Sequence, residues 1–397
     1  MEFLFWFSAL VLLYVYIGYP VVLSLLARQF PRRDGLTGQI SPSVTLLVSA
    51  YNERSVIRAK VENSLALDYP AGLLEIVVVS DCSDDGTDEI VSSYAMRGVR
   101  LVRQSQRFGK TAGLNLGVAQ SKGQIIVFSD ANAMYEPDAV LQLTRHFSVP
   151  QVGYVVGNAR YTKKADQAAS ADSEGLYWKL ETWLKQKESE FGSVVGGDGA
   201  IYAIRRELFS PLLPTDINDF LNPLQIAARN YRGVYEPSAV CYEEAADSFE
   251  KEFQRKVRII SRSLNAIRRE PRVVLPWVQP RHWFALVSHK MLRWFAPVFL
   301  LLSLATSSVL SVSPFYRLAL LLQLLFYALA AVGWRLETSV KTSKLFYLPY
   351  YFCLVNGASL VGICRFLTGG LSPTWRTVRD VPPRTPDSKI HLASKDS

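Results

Sequence analysis

The sequence predicts an α/β domain with a mostly parallel sheet, joined to transmembrane helices. Between residues 43 and 280, short apolar runs alternate with stretches of helical spacing, which is typical of an α/β fold. Long uncharged runs lie on both sides of that region, and 49% of the 397 residues are hydrophobic. These runs approach or exceed the ~20 residues that an α-helix needs to cross a bilayer. The chain therefore combines a globular domain with segments suited to lipid.

The predicted strands are continuous apolar runs. They are Ser43 to Ala50, Leu74 to Ser80, Val99 to Val102 and Gln124 to Ser129. A continuous run is expected where helices cover both faces of a sheet. The segments with helical spacing between these strands are Ser55 to Leu67, Gly86 to Met96 and Gly109 to Gln120. This alternation of strand and helix favours parallel pairing.

Three uncharged runs are long enough to span a bilayer, and a fourth is marginal. The three are Phe3 to Ala27, Trp294 to Tyr316 and Leu345 to Cys364, and the fourth is Leu318 to Trp334. Glu2 stands where a signal peptide has a basic region, and no small-residue cleavage site follows before Arg28. We therefore interpret the first run as a retained anchor.

The chain divides into six consecutive parts. They are an N-terminal transmembrane anchor at 1–28, a linker at 29–42, the α/β domain at 43–280, an interfacial segment at 281–293, about three transmembrane helices at 294–366 and a polar tail at 367–397. The linker is basic and contains Pro31 and two glycines.

Cysteine spacing and charge distribution narrow the classes of function. The four cysteines form no Cys-x-x-Cys pair, so neither a zinc site nor a disulfide framework is predicted. The net charge is +9, but basic residues such as Arg28, Arg32 and Arg33 gather beside the apolar runs. Anionic lipid headgroups explain this clustering better than nucleic acid does. We therefore expect membrane lipids, and no nucleic acid, among the partners.

Three of the predicted strands run directly into polar residues. The sequences at their carboxyl ends are SAYNERS, SDCSDDGT and SDANAMYEPD. Ligands of parallel sheets bind at this edge, and the chain has no glycine-rich phosphate loop of the dinucleotide or Walker type. An acidic edge can hold a diphosphate only through a divalent cation, and oxygen ligands suit Mg²⁺ or Mn²⁺. Asp130 is the predicted metal-binding carboxylate.

A series of motifs follows one order at compatible spacing. They are VSAYNER from Val48, VVVSDCSDDGT from Val77, RFGKTAGLNLGVAQSKGQIIVFSDAN from Arg107 and INDF from Ile217. With these motifs the chain resembles the family 2 glycosyltransferases, which have the Rossmann-like GT-A fold. The resemblance extends from about Ser43 to Arg262.

The resemblance implies a nucleotide-sugar donor, expected to be a UDP-sugar, at the edge of the sheet. The implied donor-binding residues are Ala50, Tyr51, Asn52, Glu53, Asp81, Lys110, Asp130, Arg255 and Arg258. Asp81 is expected near the base of the nucleotide. Asp130 and Asn132 occupy the family's metal-binding Asp-x-Asp position, where Asn132 departs from the pattern by offering a neutral carbonyl oxygen.

The resemblance also implies that Asp219 is the general base. Its spacing in the motif series favours it over Asp216, although Asn218 and Asn230 stand where the family has Glu and Gly. A base is needed because a sugar hydroxyl is a poor nucleophile until its proton is accepted during attack. Attack opposite the leaving diphosphate inverts the anomeric centre. Arg255 and Arg258 would add positive charge for that diphosphate.

Simpler interpretations of the same residues stay open. Asp81 suits a turn or a helix cap, and Asp219 taken alone is more often a helix-start acid than a base. Arg255, Arg258 and Arg262 recur at helical spacing and suit a basic helix at the membrane surface.

The leading hypothesis is a metal-dependent, inverting hexosyltransferase in a bacterial inner membrane, with its catalytic domain in the cytoplasm. It would transfer sugar to a lipid-linked or glycan acceptor in the synthesis of surface polysaccharide. Processive relatives carry the motif Gln-x-x-Arg-Trp. Here Arg258 follows Gln254 one position later than in that motif, and Ile259 stands where the aromatic residue would be. This favours transfer of one or a few sugars over a processive synthase with its own translocation path.

Two functions of other classes compete with this hypothesis. A catalytically silent subunit is disfavoured by the joint retention of Asp81, Asp130 and Asp219. A transporter is disfavoured because the apolar runs carry almost no charge. A cytoplasmic domain followed by three spans would place the basic tail outside, against the positive-inside tendency. Two alternatives resolve this conflict: Leu318 to Trp334 pairs with a neighbour as a re-entrant segment, or the tail lies on the membrane surface. Protein partners are not predicted.

Overall fold

The computed structural model describes residues 1–32, 40–162, 168–244, 248–336 and 343–370, and it describes no side chains from 162 to 177. Half of the predicted linker at 29–42 and nearly all of the predicted polar tail at 367–397 lie outside the described residues.

Eight strands form one sheet within the described ranges. They are β1 (Val44–Ala50), β2 (Leu74–Ser80), β3 (Val99–Arg103), β4 (Ile125–Asp130), β5 (Met134–Tyr135), β6 (Val152–Thr162), β7 (Tyr202–Arg205) and β8 (Arg232–Glu244). Their spatial order is β3-β2-β1-β4-β7-β6-β8-β5. The first four strands run parallel, β6 and β8 run parallel, and β7 is antiparallel to β4 and β6. The four predicted strands are all present.

The helices lie between the strands and on both sides of the domain in sequence. In chain order they are α1 (Glu2–Gln29), α2 (Ile57–Leu65), α3 (Thr87–Ser92), α4 (Lys110–Gln120), α5 (Ala139–Thr144), α6 (Ala168–Phe191), α7 (Asn218–Ala227), α8 (Phe249–Arg269), α9 (Pro280–Val309), α10 (Pro314–Arg335) and α11 (Lys344–Thr368). The three helical segments predicted between the first four strands correspond to α2, α3 and α4.

The sheet is covered on both faces, which explains the continuous apolar runs. Leu46 and Val48 of β1 belong to one buried cluster, whereas Leu47 belongs to another with Phe128. On the second face α4 approaches very closely, because a Cβ on Gly117 would lie 2.6 Å from Leu47 Cδ1. Only a residue without a side chain fits that crossing.

Four helices among the described residues are long and apolar enough to cross a membrane: α1, α9, α10 and α11. The predicted run from Trp294 to Tyr316 is divided between two of them, since α9 ends at Val309 and α10 begins at Pro314. Proline has no N–H and fits best in the first turn of a helix, so Pro314 starts a new one. The marginal run at Leu318 to Trp334 lies inside α10.

Two of these helices contain a π-helical turn. One turn is Tyr14–Gly18 in α1, and the other is Leu286–Met291 in α9. The turns face each other, because Tyr14 Oη and Ser288 Oγ lie 2.8 Å apart. Residues 281–293, predicted as an interfacial segment, form the first part of α9 and run into its apolar part without interruption.

The α/β domain packs directly on the apolar helices. The ring of Phe220 on α7 lies 5.6 Å from that of Trp294 on α9. Ile260 on α8 meets α11, where a Cβ on Gly362 would lie 3.0 Å from it. These residues belong to one buried cluster shared by α7, α8, α9 and α11.

Candidate active site

The carboxyl ends of β1, β2 and β4 meet at one edge of the sheet. Ala50 at the end of β1 is paired with Ser80 of β2, and Ser49 is paired with Asp130 of β4. The backbone N–H of Asp81 donates to the carbonyl oxygen of Ala50 at 2.9 Å. The parallel register therefore brings Ala50, Asp81 and Asp130, which are far apart in sequence, to the same edge.

Lys110 and Asp130 form an ion pair at this edge. Lys110 begins α4, and its Nζ donates to Asp130 Oδ1, which also accepts from Ser49 Oγ at 3.2 Å. Burial alone would lower the pKa of Lys110, but the carboxylates of Asp130 and Asp219 outweigh burial and raise it. Lys110 is therefore a protonated cation at neutral pH.

The side chains of Lys110, Asp130 and Asp219 converge around Gly199. A Cβ built on Gly199 would lie 3.4 Å from Asp219 Oδ2, 3.5 Å from Lys110 Nζ and 3.8 Å from Asp130 Oδ2. The N–H of Gly199 donates to Asp219 Oδ2 at 3.1 Å. A side chain at position 199 would enter the space that these charged groups share, so the glycine keeps that space open.

Asp219 lies in the first turn of α7, where the helix dipole favours a carboxylate. Its carbonyl oxygen accepts from the N–H of Gly197 at 2.5 Å. Burial raises the pKa of Asp219 above its usual range, Asp198 and Asp130 raise it further, and Lys110 opposes them. A carboxylate with a raised pKa is a better proton acceptor than one at the protein surface.

Asp81 holds the segment that leads into α4. Its Oδ1 accepts from the N–H groups of Phe108 and Gly109, both at 3.0 Å, and from Gln104 Nε2 at 2.7 Å. Burial raises the pKa of this nearly buried carboxyl despite those hydrogen bonds. Asp81 therefore fixes the chain just before Lys110.

The loop after β1 is held against the loop after β2. Asn52 adopts a left-handed conformation with φ of 52°, and its side chain exchanges two hydrogen bonds with Asp84 at 2.8 and 3.1 Å. The N–H of Glu53 donates to Thr87 Oγ1 at 2.9 Å. The guanidinium of Arg107 lies 3.7 Å from the ring centroid of Tyr51. These contacts form a polar wall beside Asp81.

Asn132 lies in the turn between β4 and β5, two residues after Asp130, and is partly exposed. Among the described residues no group of three His, Cys, Asp or Glu side chains is placed to hold a metal ion by itself. Asp130 and Asn132 offer two protein oxygens, and Mg²⁺ and similar cations are commonly held by one or two protein ligands together with phosphates and water. The residues present therefore fit a divalent cation that a diphosphate helps to hold.

The two predicted arginines of α8 occupy different surroundings. Burial lowers the pKa of Arg258 to about 10, Arg262 and Arg255 lower it too, and Asp219 and Asp130 oppose the shift. Arg258 therefore lies within the electrostatic field of the converging carboxylates. Arg255 donates from Nε to Glu252 at 2.7 Å and lies 5.9 Å from the ring centroid of Trp178.

Three charged residues of the site carried no assignment from the sequence. Asp198 accepts from Lys185 Nζ at 3.0 Å, and both side chains are 14% exposed. Burial raises the pKa of Glu243, and Asp130 and Asp198 add to the increase. The signal for Asp198 is its place between glycines in GGDGA, whereas Glu243 and Lys185 have no comparable motif.

The comparison with protein families matches residues 45–213 to glycosyl transferase family 2. The chain is 27% identical over 232 residues to a probable glycosyltransferase, YdaM, of Bacillus subtilis, covering 55% of this chain and 54% of that protein. It is 25% identical over 221 residues to a poly-beta-1,6-N-acetyl-D-glucosamine synthase of Staphylococcus aureus, covering 54% and 53%. The aligned part spans about half the length of these curated relatives.

Among solved structures, the chain is similar to the mannosyltransferase PcManGT from Pyrobaculum calidifontis, which was determined with GDP-Man and Mn²⁺. The TM-score is 0.67 at 22% identity, and the match covers 92% of this chain and 99% of that one. A likeness at this identity concerns the fold. It confirms the predicted GT-A domain joined to apolar helices.

Proposed function

We propose that the protein is a membrane-bound, metal-dependent, inverting glycosyltransferase, because residues 45–213 match glycosyl transferase family 2. Its donor is a nucleotide-sugar of the UDP-sugar class, and its acceptor is a lipid-linked or other glycan in the synthesis of cell-surface polysaccharide. The catalytic domain faces the cytoplasm of a bacterial cell, where nucleotide-sugars are made.

The convergence of Lys110, Asp130 and Asp219 on Gly199 carries this proposal. Transfer needs a cation for the donor diphosphate and a base for the acceptor hydroxyl, close enough to act on one anomeric carbon. Lys110 supplies positive charge on the side of Asp130, and Asp219 supplies the carboxylate across the shared space. A domain with no catalytic role would have no need to keep these charges together around a glycine.

A divalent cation fits between Asp130 and the donor. Asp130 Oδ1 is engaged by Lys110 and Ser49, while Asp130 Oδ2 faces the shared space near Gly199. Asn132 offers a second oxygen. The similarity to PcManGT, which was determined with Mn²⁺, supports a divalent cation. When bound, the cation neutralises charge that develops on the departing diphosphate.

Asp219 accepts the proton of the attacking hydroxyl. The acceptor oxygen forms a bond to the anomeric carbon, the bond from that carbon to the diphosphate oxygen breaks, and the electron pair leaves with the nucleoside diphosphate. The raised pKa of Asp219 suits it to hold the proton. Lys110 and Arg258 remain charged and stabilise the negative charge of the leaving group.

The length of the product separates two candidate functions. Ile259 on α8 stands where processive relatives place an aromatic ring, so a stacking surface for a growing polymer is missing at that position. This favours addition of one or a few sugars. The similarity to a poly-beta-1,6-N-acetyl-D-glucosamine synthase favours the second candidate, a processive synthase.

The test uses the full-length protein in nanodiscs with Mn²⁺ and a polyprenyl-linked sugar primer. Labelled UDP-N-acetylglucosamine, UDP-glucose and GDP-mannose are supplied in turn, and the products are sized. We expect discrete short additions from one donor, made only with primer, and none from the Asp219→Asn variant. Long polymer made without primer would establish the processive synthase, and a folded protein that uses none of the donors would contradict the assignment.

A further inference from the structure

Glu188 on α6 is a buried carboxylate that joins three separate parts of the chain. Its Oε1 accepts from Tyr19 Oη at 2.8 Å and lies 2.5 Å from His289 Nδ1. Its Oε2 accepts from the N–H of Val195 at 3.0 Å. Glu188, Tyr19 and His289 are each at most 2% exposed. One carboxylate therefore links α1, α9 and the loop that follows α6.

Both apolar helices approach Glu188 at their π-helical turns. Tyr19 directly follows the turn of α1, and His289 lies inside the turn of α9. A π turn widens a helix locally and is frequent at functional sites. Burial alone would raise the pKa of Glu188, but His289 and the N–H of Val195 outweigh burial and lower it. Glu188 is therefore a charged acceptor at neutral pH.

A second carboxylate fixes α6 to α9 two turns earlier. Glu181 lies 3.3 Å from both His289 Nε2 and Lys290 Nζ and forms an ion pair with Arg293. Burial would raise the pKa of Glu181, but Lys290, His289 and Arg293 hold that pKa well below its usual range. The position of α6 relative to α9 is therefore set by several buried charged contacts.

The loop from Val195 to Gly199 connects Glu188 with Asp219. Val195 is held by Glu188, and Asp198 is held by Lys185, which lies one turn before Glu188 on α6. Within the same loop, the N–H of Gly197 donates to the Asp219 carbonyl and the N–H of Gly199 donates to its Oδ2. The orientation of the Asp219 carboxylate thus depends on where α6 holds this loop.

We propose that Glu188 is a positioning residue for Asp219, and that the apolar helices α1 and α9 set its position through Tyr19 and His289. The proposal rests on the proposed function, because it takes Asp219 as the base. Displacement of a catalytic group by about 1 Å can lower a rate roughly 100-fold. The first apolar helix is then part of the catalytic architecture as well as an anchor.

The test compares variants of the full-length protein in nanodiscs. Glu188→Ala should lower kcat about 100-fold, and Glu188→Gln should restore it to within about tenfold of the unmodified protein, since an amide oxygen still accepts from Val195. Tyr19→Phe should lower kcat about threefold. Calorimetry with Mn²⁺ and UDP or GDP should give the same Kd for all of them, because the nucleotide side is untouched.

Tyr16→Phe is the matched control, since Tyr16 lies on α1 and donates to Asn356 on α11 instead of Glu188. It should keep the kcat of the unmodified protein. Equal kcat for Tyr19→Phe and Tyr16→Phe, or a loss of nucleotide affinity in proportion to kcat, would overturn the positioning role. Failure of the unmodified protein to transfer any sugar would instead refute the proposed function.

Discussion

The proposed donor side and the proposed acceptor side of the site are built from different kinds of contact. On the donor side, Asn52 bonds to Asp84 and Asp81 bonds to Gly109, partners that are 32 and 28 residues apart. On the acceptor side, Glu188 bonds to Tyr19 and His289, which are 169 and 101 residues away. The donor side is assembled within the first half of the sheet, whereas the acceptor side needs the apolar helices in place.

Because the two sides are built separately, we expect substitutions on each side to affect different properties of the enzyme. A change at Asp130 or Lys110 acts where the diphosphate and its cation would lie, so we expect it to alter donor affinity. A change at Asp219 acts on the acceptor, so we expect it to alter the chemical step alone. The predictions below test that separation, beginning with the largest expected effect.

The Asp219→Asn variant should lose transfer and keep donor binding. Removal of a general base typically costs 10²- to 10⁴-fold, and we expect kcat to fall about 1,000-fold, because an amide cannot accept the proton. The Kd for Mn²⁺ with UDP or GDP should stay within about twofold. Turnover and calorimetry on the same nanodisc sample measure both quantities.

Asp216→Asn is the control for that variant. Asp216 is buried in the segment before α7 and pairs with Arg269 at 2.7 Å, outside the site. We expect this variant to lose thermal stability and to keep kcat within about threefold, because its role is structural. If Asp219→Asn loses donor affinity as severely as transfer, the two sides are not separate.

The Asp130→Ala variant should lose the donor binding that Asp219→Asn keeps. We expect the Kd for UDP or GDP in Mn²⁺ to rise about 100-fold, since the cation loses its one protein carboxylate. Electron paramagnetic resonance of Mn²⁺ gives a readout that does not depend on turnover. Unchanged Mn²⁺ binding in the presence of nucleotide would show that Asp130 is not the metal ligand.

The reverse change, Asn132→Asp, sharpens the same prediction. A second carboxylate beside Asp130 adds negative charge to the cation site, so Mn²⁺ should bind about tenfold more tightly. Because the added carboxylate belongs to the protein, the gain should appear in both the presence and the absence of nucleotide. A variant with weaker Mn²⁺ binding would place the cation elsewhere.

The donor side was predictable from sequence for a physical reason. A parallel strand that ends on a polar residue delivers that residue to the edge of the sheet, whatever follows it, so Asp81 and Asp130 could be placed from local patterns. Lys110, at the start of α4, does not end a strand and was predicted only from the motif that resembles family 2 glycosyltransferases. Sequence also predicted the α/β class, the first four strands and the apolar helices.

The acceptor side was only partly predictable. A motif located Asp219, but no local pattern indicates that Glu188, in the middle of α6, meets Tyr19 from the other end of the chain. Neither does sequence show that His289 lies between two carboxylates. Contacts of this kind depend on how whole helices pack, and no periodic pattern in the sequence indicates them. The turn before Pro314 was missed because the apolar run continues across it.

Among the described residues, the proposed donor side includes a buried lysine that sequence did not indicate. Lys60 on α2 is fully buried, and its Nζ donates to the carbonyl oxygen of Ala133 and lies 4.1 Å from the ring centroid of Tyr135. Both contacts are in the segment that follows Asp130 and Asn132. Burial lowers the pKa of Lys60 from 10.5 to about 7, although Cys241, Asp130 and Glu243 oppose the shift.

Lys60 should therefore give the protein a stability that rises with pH. Between pH 7 and pH 10.5 the unfolded chain keeps the proton that folded Lys60 has released, so unfolding becomes less favourable as pH increases. The slope approaches about 1.4 kcal/mol per pH unit, or roughly 2 °C in Tm for a chain of this size. As pH falls through 7 this contribution is lost.

The Lys60→Met variant lacks this pH-dependent contribution to stability. The Tm of the unmodified protein should therefore rise relative to the Tm of the variant from pH 7 to pH 9. Lys187→Met, at a partly exposed site beside Glu190, should run parallel to the unmodified protein. Parallel curves for Lys60→Met would mean that the buried ammonium keeps its proton throughout, and that the donor side tolerates a permanent charge behind Asp130.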